Sequence, residues 1–94
     1  MSIEFIEQLE AIIVERSGES PDASYTARLN EKGIPFIAQK VGEEAVETAI
    51  EAVLGNKEKL TSEAADLLYH LLVLLNASGL SLSDVASELE KRHS

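Results

Sequence analysis

Acidic side chains at helical spacing are the feature of this sequence that could do chemistry. Two segments carry them, and the acids are Glu43, Glu44, Glu47, Glu51, Glu63 and Asp66. Helical steps of about 100° per residue place most of the first set on one stripe with Lys40, with Glu43 at its border. Glu63 and Asp66, three residues apart, also share a helix face. Clustered carboxylate oxygens favour Mg²⁺, or Mn²⁺ as a substitute, over zinc or copper.

A turn between the two segments decides whether their acids can meet. Glu47 lies eight residues before Gly55 and Glu63 seven after Asn56, while Glu44 lies eleven before and Asp66 ten after. At about 1.5 Å rise per residue, an antiparallel hairpin would bring each pair to the same level. The spacing therefore predicts four converging carboxylates.

The surroundings of the second segment indicate that these acids need a cation. Residues 67–75 are apolar on all sides of a helical wheel except for His70, which predicts a helix buried around its circumference with Asp66 and Glu63 in or beside the core. Holding ionised carboxylates there costs several kcal/mol each unless a cation compensates. The alternative is a solvated acidic face with Lys40 and Glu44 as an ordinary i,i+4 ion pair.

The elements that must position these acids are all helical. Periodicity, caps and breakers predict five helices, at residues 2–16, 24–32, 35–54, 57–78 and 81–92, with Ser2, Ser24 and Ser81 as candidate caps and a capping box formed with Asp84. No strand pattern competes. We expect an all-α small bundle whose third and fourth helices form a central antiparallel hairpin.

Composition limits the classes of function. The chain has 94 residues, a formal net charge of −9, 45% apolar residues and no Cys, which excludes disulfides and thiolate metal sites. We expect one domain over residues 1–94, completed by dimerisation because so short a chain buries limited surface. The acidic balance disfavours nucleic acid, and the apolar stretches are too short for a membrane span. An acidic start without a signal pattern predicts a cytoplasmic protein.

Cations supply the candidate contacts to an anionic substrate. Lys40 adjoins the acidic stripe, and Arg28 and Lys32 lie one turn apart on the second helix. That helix begins at Ser24 and Tyr25, where free backbone N–H groups can receive an anion. Ordinary surface charges and an ordinary cap are the alternative. His70 is interpreted as a hydrogen-bonded residue of the core, or one that supports a metal ligand from behind, rather than as a metal ligand or general acid, and Tyr69 as a packing residue.

Three phrases of the sequence resemble a known family. Residues 43–47 and 63–66, separated by a fifteen-residue gap, resemble the metal-binding signature of the all-α, MazG-like nucleoside triphosphate pyrophosphohydrolases. Residues 24–29, 40–47 and 63–75 more narrowly resemble the phosphoribosyl-ATP pyrophosphohydrolase family. The similarity spans residues 3–92.

This resemblance implies Mg²⁺-dependent hydrolysis of phosphoribosyl-ATP to phosphoribosyl-AMP and pyrophosphate, in histidine biosynthesis, by a homodimer. It implies Glu44, Glu47, Glu63 and Asp66 as metal ligands, and the candidate catalytic residues are Glu43, Glu44 and Glu47. Cleavage between the α and β phosphorus atoms develops negative charge that cations stabilise, and water activated by a Glu carboxylate can attack without a covalent intermediate.

Two other functions are compatible with these residues. The nearest is a house-cleaning hydrolase of non-standard nucleoside triphosphates from the same superfamily. A second is a non-enzymatic module that dimerises through residues 67–75 and the fifth helix. A di-iron carboxylate bundle is disfavoured, because its helices carry Glu-x-x-His and His70 lies four residues after Asp66.

Overall fold

A computed structural model describes residues 3–94 of the protein. These residues form five α-helices. They are α1 (Glu4–Ser17), α2 (Tyr25–Lys32), α3 (Ile34–Leu54), α4 (Lys57–Ala77) and α5 (Leu82–Arg92). No strand occurs within the described part of the chain. The predicted all-α class is confirmed, and the predicted helix ends differ from these by at most two residues. The predicted cap Ser2 lies outside the described residues.

Local signals at the turn set the central hairpin of α3 and α4. Gly55 ends α3 with a left-handed backbone at φ 74°, a conformation that costs glycine little because it lacks a Cβ. Asn56 then caps α4, and its side chain accepts a hydrogen bond from the backbone N–H of Lys59 at 3.0 Å. These adjacent stop and start signals fix how the residues of α3 and α4 pair along the hairpin.

The core lies where α1, α2 and α3 cover α4. Its fully buried side chains are Ile13, Leu29, Ile37, Leu72 and Val73, which come from these four helices. Helix α5 contributes no residue of the buried class, but its first N–H group, on Leu82, donates to the Glu10 carboxylate of α1 at 2.6 Å. The two helices of the hairpin share the largest contact, so α4 is positioned mainly by α3.

Residues 67–75 of α4 are covered on all sides of the helix, as predicted, but most of them only in part. His70, Leu72 and Val73 are buried and the remaining side chains of this stretch are half-buried. No single helix of the described residues is long and apolar enough to cross a membrane, although α4 and α5 pass on length and composition as a pair bent by 103°.

Candidate functional site

Three carboxylates from the two legs of the hairpin converge. Glu44 on α3 and Glu63 and Asp66 on α4 each offer an oxygen atom, and these oxygens lie within 4.8 Å of one another. We call these three residues the acidic cluster. Glu44 is 8% exposed and Glu63 is half-buried, whereas Asp66 is exposed. Of the two acids expected in or beside the core, Glu63 is therefore partly buried and Asp66 lies beside the core, because α2 covers α4 one turn further on, at His70.

Glu47 lies next to Glu63 but outside the group of three. A hydrogen bond with the Glu47 carboxyl is the main cause that raises the pKa of Glu63 to about 7, followed by burial and by the negative charges of Glu47 and Glu44. Such a bond requires one of the two carboxyls to hold a proton. The carboxyl of Glu63 is therefore expected to keep its proton up to near neutral pH when no cation is present.

Two buried oxygens of the acidic cluster have no hydrogen-bond donor. They are Oε2 of Glu44 and Oε2 of Glu63, and they are the buried side-chain atoms without a partner among the described residues. A buried acceptor without a donor is costly, and several adjacent carboxylates add repulsion. A hard divalent cation would satisfy both oxygens and cancel their charge, so the donor set fits Mg²⁺ or a similar ion.

Glu43 points away from this group and is held by its own helix. Its carboxylate pairs with Lys40 Nζ at 3.4 Å and accepts from the Gln39 amide at 3.2 Å. These two hydrogen bonds, Gln39 first, lower the pKa of Glu43, and the bond to Glu43 raises the pKa of Lys40. Lys40 thus pairs with Glu43, three positions on, and not with Glu44, as the alternative interpretation predicted.

The cations of α2 line a small cavity beside its exposed face. Tyr25, Arg28, Leu29, Lys32 and Phe36 enclose about 80 Å³, and we call this the α2 cleft. The Arg28 guanidinium lies 5.8 Å from the centre of the Tyr25 ring, and Lys32 Nζ lies 4.4 Å from the centre of the Phe36 ring. Cation–π contacts of this kind hold the charges near the rings. Phe36 is a cleft residue that sequence analysis missed, since its aromatic ring is equally compatible with the core.

Ser24 serves α2 as the predicted N-cap. Its hydroxyl is 8% exposed and accepts a hydrogen bond from the Ala27 N–H at 3.0 Å. The next residue, Tyr25, remains 42% exposed. Burial raises the pKa of Tyr25, with Lys40 lowering it and Glu44 raising it further. The charges of Lys40 and Glu44 therefore both act on the Tyr25 hydroxyl.

His70 connects α2 to the helix that bears Asp66. Its Nδ1 lies 2.8 Å from the backbone carbonyl oxygen of Asp66, and its Nε2 lies 3.0 Å from the Tyr25 hydroxyl. A carbonyl oxygen can only accept, so Nδ1 carries the proton and Nε2 accepts from Tyr25. The ring is 6% exposed, in agreement with the interpretation as a hydrogen-bonded core histidine. Sequence analysis missed the Tyr25 contact, because the two residues are 45 positions apart.

Tyr69 also bridges α2 and α4. Its hydroxyl forms a hydrogen bond with the Thr26 hydroxyl, and its ring stacks on Tyr25 with centroids 6.2 Å apart. Tyr69 is therefore more than the packing residue that the sequence suggested. Both tyrosines tie the start of α2 to the middle of α4.

Nearly the whole chain matches a known protein family. Residues 6–93 match the family described as phosphoribosyl-ATP pyrophosphohydrolase. The chain belongs to this family. The name of the family states hydrolysis of a pyrophosphate bond.

Relatives of known name resemble the chain over nearly all of its length. The phosphoribosyl-ATP pyrophosphatase of Pyrobaculum arsenaticum is 60% identical over 92 residues, which cover 98% of both chains. That of Erythrobacter litoralis is 55% identical over 87 residues, 93% of this chain and 84% of the relative. The histidine biosynthesis bifunctional protein HisIE of Photobacterium profundum is 53% identical over 89 residues, 95% of this chain but 43% of the relative.

Proposed function

We propose that this protein hydrolyses phosphoribosyl-ATP to phosphoribosyl-AMP and pyrophosphate, as a Mg²⁺-dependent enzyme of histidine biosynthesis. One observation carries the proposal. Two buried carboxylate oxygens, on Glu44 and Glu63, have no donor and lie in a group of three acids within 4.8 Å. The names of the relatives supply the substrate, and the acidic cluster supplies the chemistry that this substrate needs.

Glu44, Glu63 and Asp66 would hold the cation, and Glu47, the fourth predicted ligand, lies beside Glu63. Mg²⁺ suits these oxygens, and Mn²⁺ is a possible substitute. When bound, the ion stabilises negative charge that develops on the phosphate oxygens during cleavage. The residues of the chain must then orient the triphosphate and accept a proton from the attacking water.

Glu47 is the best placed of the three candidate bases. It is exposed and lies outside the group of three, yet it contacts Glu63. Glu44 is buried and its oxygens face the cation site, which favours a role as a ligand. Glu43 is engaged by Lys40 and Gln39, so we assign to it the positioning of Lys40 rather than proton transfer.

Binding of the substrate phosphates falls to the cations near the acidic cluster. Lys40 would contact the triphosphate, because its charge is coupled to both Tyr25 and Glu44. Arg28 and Lys32 of the α2 cleft would bind the remaining anionic groups, and Tyr25 lies between the cleft and the cluster. Ser24 would act mainly by capping α2, which orients the free N–H groups of its first turn toward an anion.

A substrate panel tests the proposal against its rivals. Purified protein with Mg²⁺ is expected to release pyrophosphate from phosphoribosyl-ATP far faster than from deoxynucleoside triphosphates. Faster turnover of the deoxynucleoside triphosphates would instead support the house-cleaning hydrolase. Release of orthophosphate alone would contradict cleavage between the α and β phosphorus atoms. A melting temperature insensitive to both Mg²⁺ and pyrophosphate, without turnover, would support the non-enzymatic module.

The proposal extends to a homodimer that covers an apolar face of α3. This α3 apolar face consists of Val46, Ala49, Ile50, Val53 and Leu54, which line one open concave surface. Val53 is 87% exposed and Leu54 is 71% exposed. Val53 follows Glu44 by nine residues, so at about 100° per residue it lies on the opposite side of α3. An exposed apolar stripe of this kind is typical of an interface, and a second copy of the chain is its proposed occupant.

A single domain over residues 1–94 and a cytoplasmic location stay predictions.

A further inference from the structure

We infer that His70 is a positioning residue, which holds the Tyr25 hydroxyl beside the α2 cleft and so orients substrate that binds between α2 and the hairpin. The inference rests on the proposed function, because it concerns how that site is assembled. Neither the predicted ligand set nor the predicted substrate contacts include His70.

The geometry of the imidazole ring supports this role. Its Nδ1–H donates to the Asp66 carbonyl at 2.8 Å, which fixes the tautomer, and its Nε2 then has only a lone pair to offer. The Tyr25 hydroxyl donates to that lone pair at 3.0 Å. One buried ring thus connects the turn that carries a cluster carboxylate to an exposed tyrosine on the neighbouring helix.

Ring contacts restrict the orientation of this ring further. Tyr25 and Tyr69 each meet the His70 ring edge-on, with centroids 5.8 Å and 5.2 Å away and interplanar angles of 82° and 85°. Because the imidazole packs against the edges of both stacked tyrosine rings, it has little freedom to rotate. Tyr25 is fixed as well, since its hydroxyl is hydrogen-bonded to His70 and its ring stacks on Tyr69.

The placement of Tyr25 explains why its orientation matters. Tyr25 lines the α2 cleft beside Arg28, and it is electrostatically coupled to Lys40 and Glu44. A tyrosine at this junction sets the distance between groups that bind substrate and groups that bind the cation. Because a misplacement of about 1 Å in an active site can cost roughly 100-fold in rate, a fixed Tyr25 has a direct kinetic consequence.

Two substitutions of His70 separate its two hydrogen bonds. The amide of Asn can replace Nδ1–H toward the Asp66 carbonyl but is too short to reach Tyr25, whereas the carbonyl of Gln can replace Nε2 as the acceptor. We expect His70→Asn to lower kcat/KM for phosphoribosyl-ATP about ten-fold or more, as an order of magnitude, and His70→Gln to restore most of it. Mg²⁺ affinity measured by calorimetry should change by less than about two-fold in either variant, as all four carboxylates remain.

Tyrosine substitutions provide a matched control. Tyr25→Phe and Tyr69→Phe each remove one hydroxyl hydrogen bond between α2 and α4. Only Tyr25→Phe should reduce kcat/KM, and combining it with His70→Asn should cause little further loss, because both act through one bond. Equal kinetic losses in the two phenylalanine variants, or strictly additive losses in the double variant, would show that His70 has a structural role only.

Nitrogen NMR of the imidazole rings gives a readout that does not depend on turnover. The metal-free protein is expected to show His70 as the Nδ1–H tautomer, and Tyr25→Phe should shift its Nε2 resonance. His93 is an internal reference, since it makes the same bond to the Leu89 carbonyl at 2.7 Å in an exposed position. An unshifted Nε2 resonance would overturn the inference. If the wild-type protein showed no turnover, the proposed function would be wrong instead. The tautomer of His70 and the shift of its Nε2 resonance could still be measured, so the two failures can be distinguished.

Discussion

Glu44 and Glu63 face each other across the α3–α4 hairpin, each with one buried carboxylate oxygen that has no hydrogen-bond donor. With Asp66 they bring oxygens from two helices to within 4.8 Å. Like charges at this separation repel. The pKa of Glu63 is raised to about 7, mainly by a hydrogen bond with Glu47 and then by burial and by the charges of Glu47 and Glu44. A bound cation would turn the same arrangement from a destabilising one into a stabilising one.

Mg²⁺ is expected to stabilise the folded protein. At a free concentration about 100 times its Kd, binding adds about 2.7 kcal/mol, which for a domain of this size raises Tm by roughly 10–20 °C. Chelation with EDTA should reverse the shift. Glu63→Gln should abolish the response to Mg²⁺ and, in EDTA, raise Tm above that of the wild type, because it removes the repulsion. Glu15→Gln, on the exposed surface of α1, is the control and should respond to Mg²⁺ like the wild type.

The stability of the metal-free protein should depend on pH through Glu63. Its folded-state pKa of about 7 lies above its ordinary value of 4.5, so the folded protein binds more protons than the unfolded chain between these pH values. The free energy of unfolding is therefore expected to fall as pH rises from about 4.5 to 7, and this contribution should level off above 7. Urea denaturation of wild type and Glu63→Gln across this range isolates the effect as a difference. A difference that stays constant with pH would contradict the raised pKa of Glu63.

Substitutions that remove one charge should separate the roles of the acids. Glu47→Gln and Asp66→Asn are expected to reduce kcat by about 100-fold or more while leaving the helical fold intact, since ligands and electrostatic groups act directly on the reacting phosphates. Glu43→Gln should have a smaller effect, mainly on KM, because Glu43 holds Lys40. Pyrophosphate release, with circular dichroism as the control for folding, measures both. Full activity of Glu47→Gln or Asp66→Asn would refute their assigned roles.

The α3 apolar face should control the oligomeric state. Val53→Lys places a charge at the most exposed position of this face and is expected to shift the protein from dimer to monomer, because a charge buried in an apolar interface is costly. Light scattering after size exclusion measures the mass. Val14→Lys, at a 54% exposed position of α1, is the matched control and should remain dimeric. If the wild type is a monomer at micromolar concentration, this interface is wrong.

Local sequence signals were sufficient for the helices and for the way α3 and α4 pair along the hairpin. Gly55 and Asn56 act through their own backbone and neighbouring N–H groups, so the turn could be predicted without knowledge of the rest of the fold. Counting from that turn then places Glu44 level with Asp66, as the acidic cluster shows. This reasoning is reliable because helix rise is nearly constant.

Burial could not be predicted in the same way. The sequence placed Asp66 in or beside the core, but it did not indicate that Glu44 is buried and Asp66 exposed. Likewise, Lys40 pairs with Glu43 although Glu44 has the equally common i,i+4 spacing. Both outcomes depend on which face of each helix its neighbours cover, and a periodic pattern indicates a face without indicating its neighbour.

The sequence by itself determined the five helices, the hairpin and three of the four acids predicted to meet there, because each follows from short-range geometry. Only the tertiary structure decided that two carboxylate oxygens are buried without donors and that His70 joins Tyr25 to the Asp66 backbone. The physical reason is that the burial of the oxygens depends on what covers each face of the hairpin, and that the His70 contact forms where α2 packs on α4, between residues 45 positions apart. Contacts at that separation are determined by how the helices pack together, which no local pattern encodes.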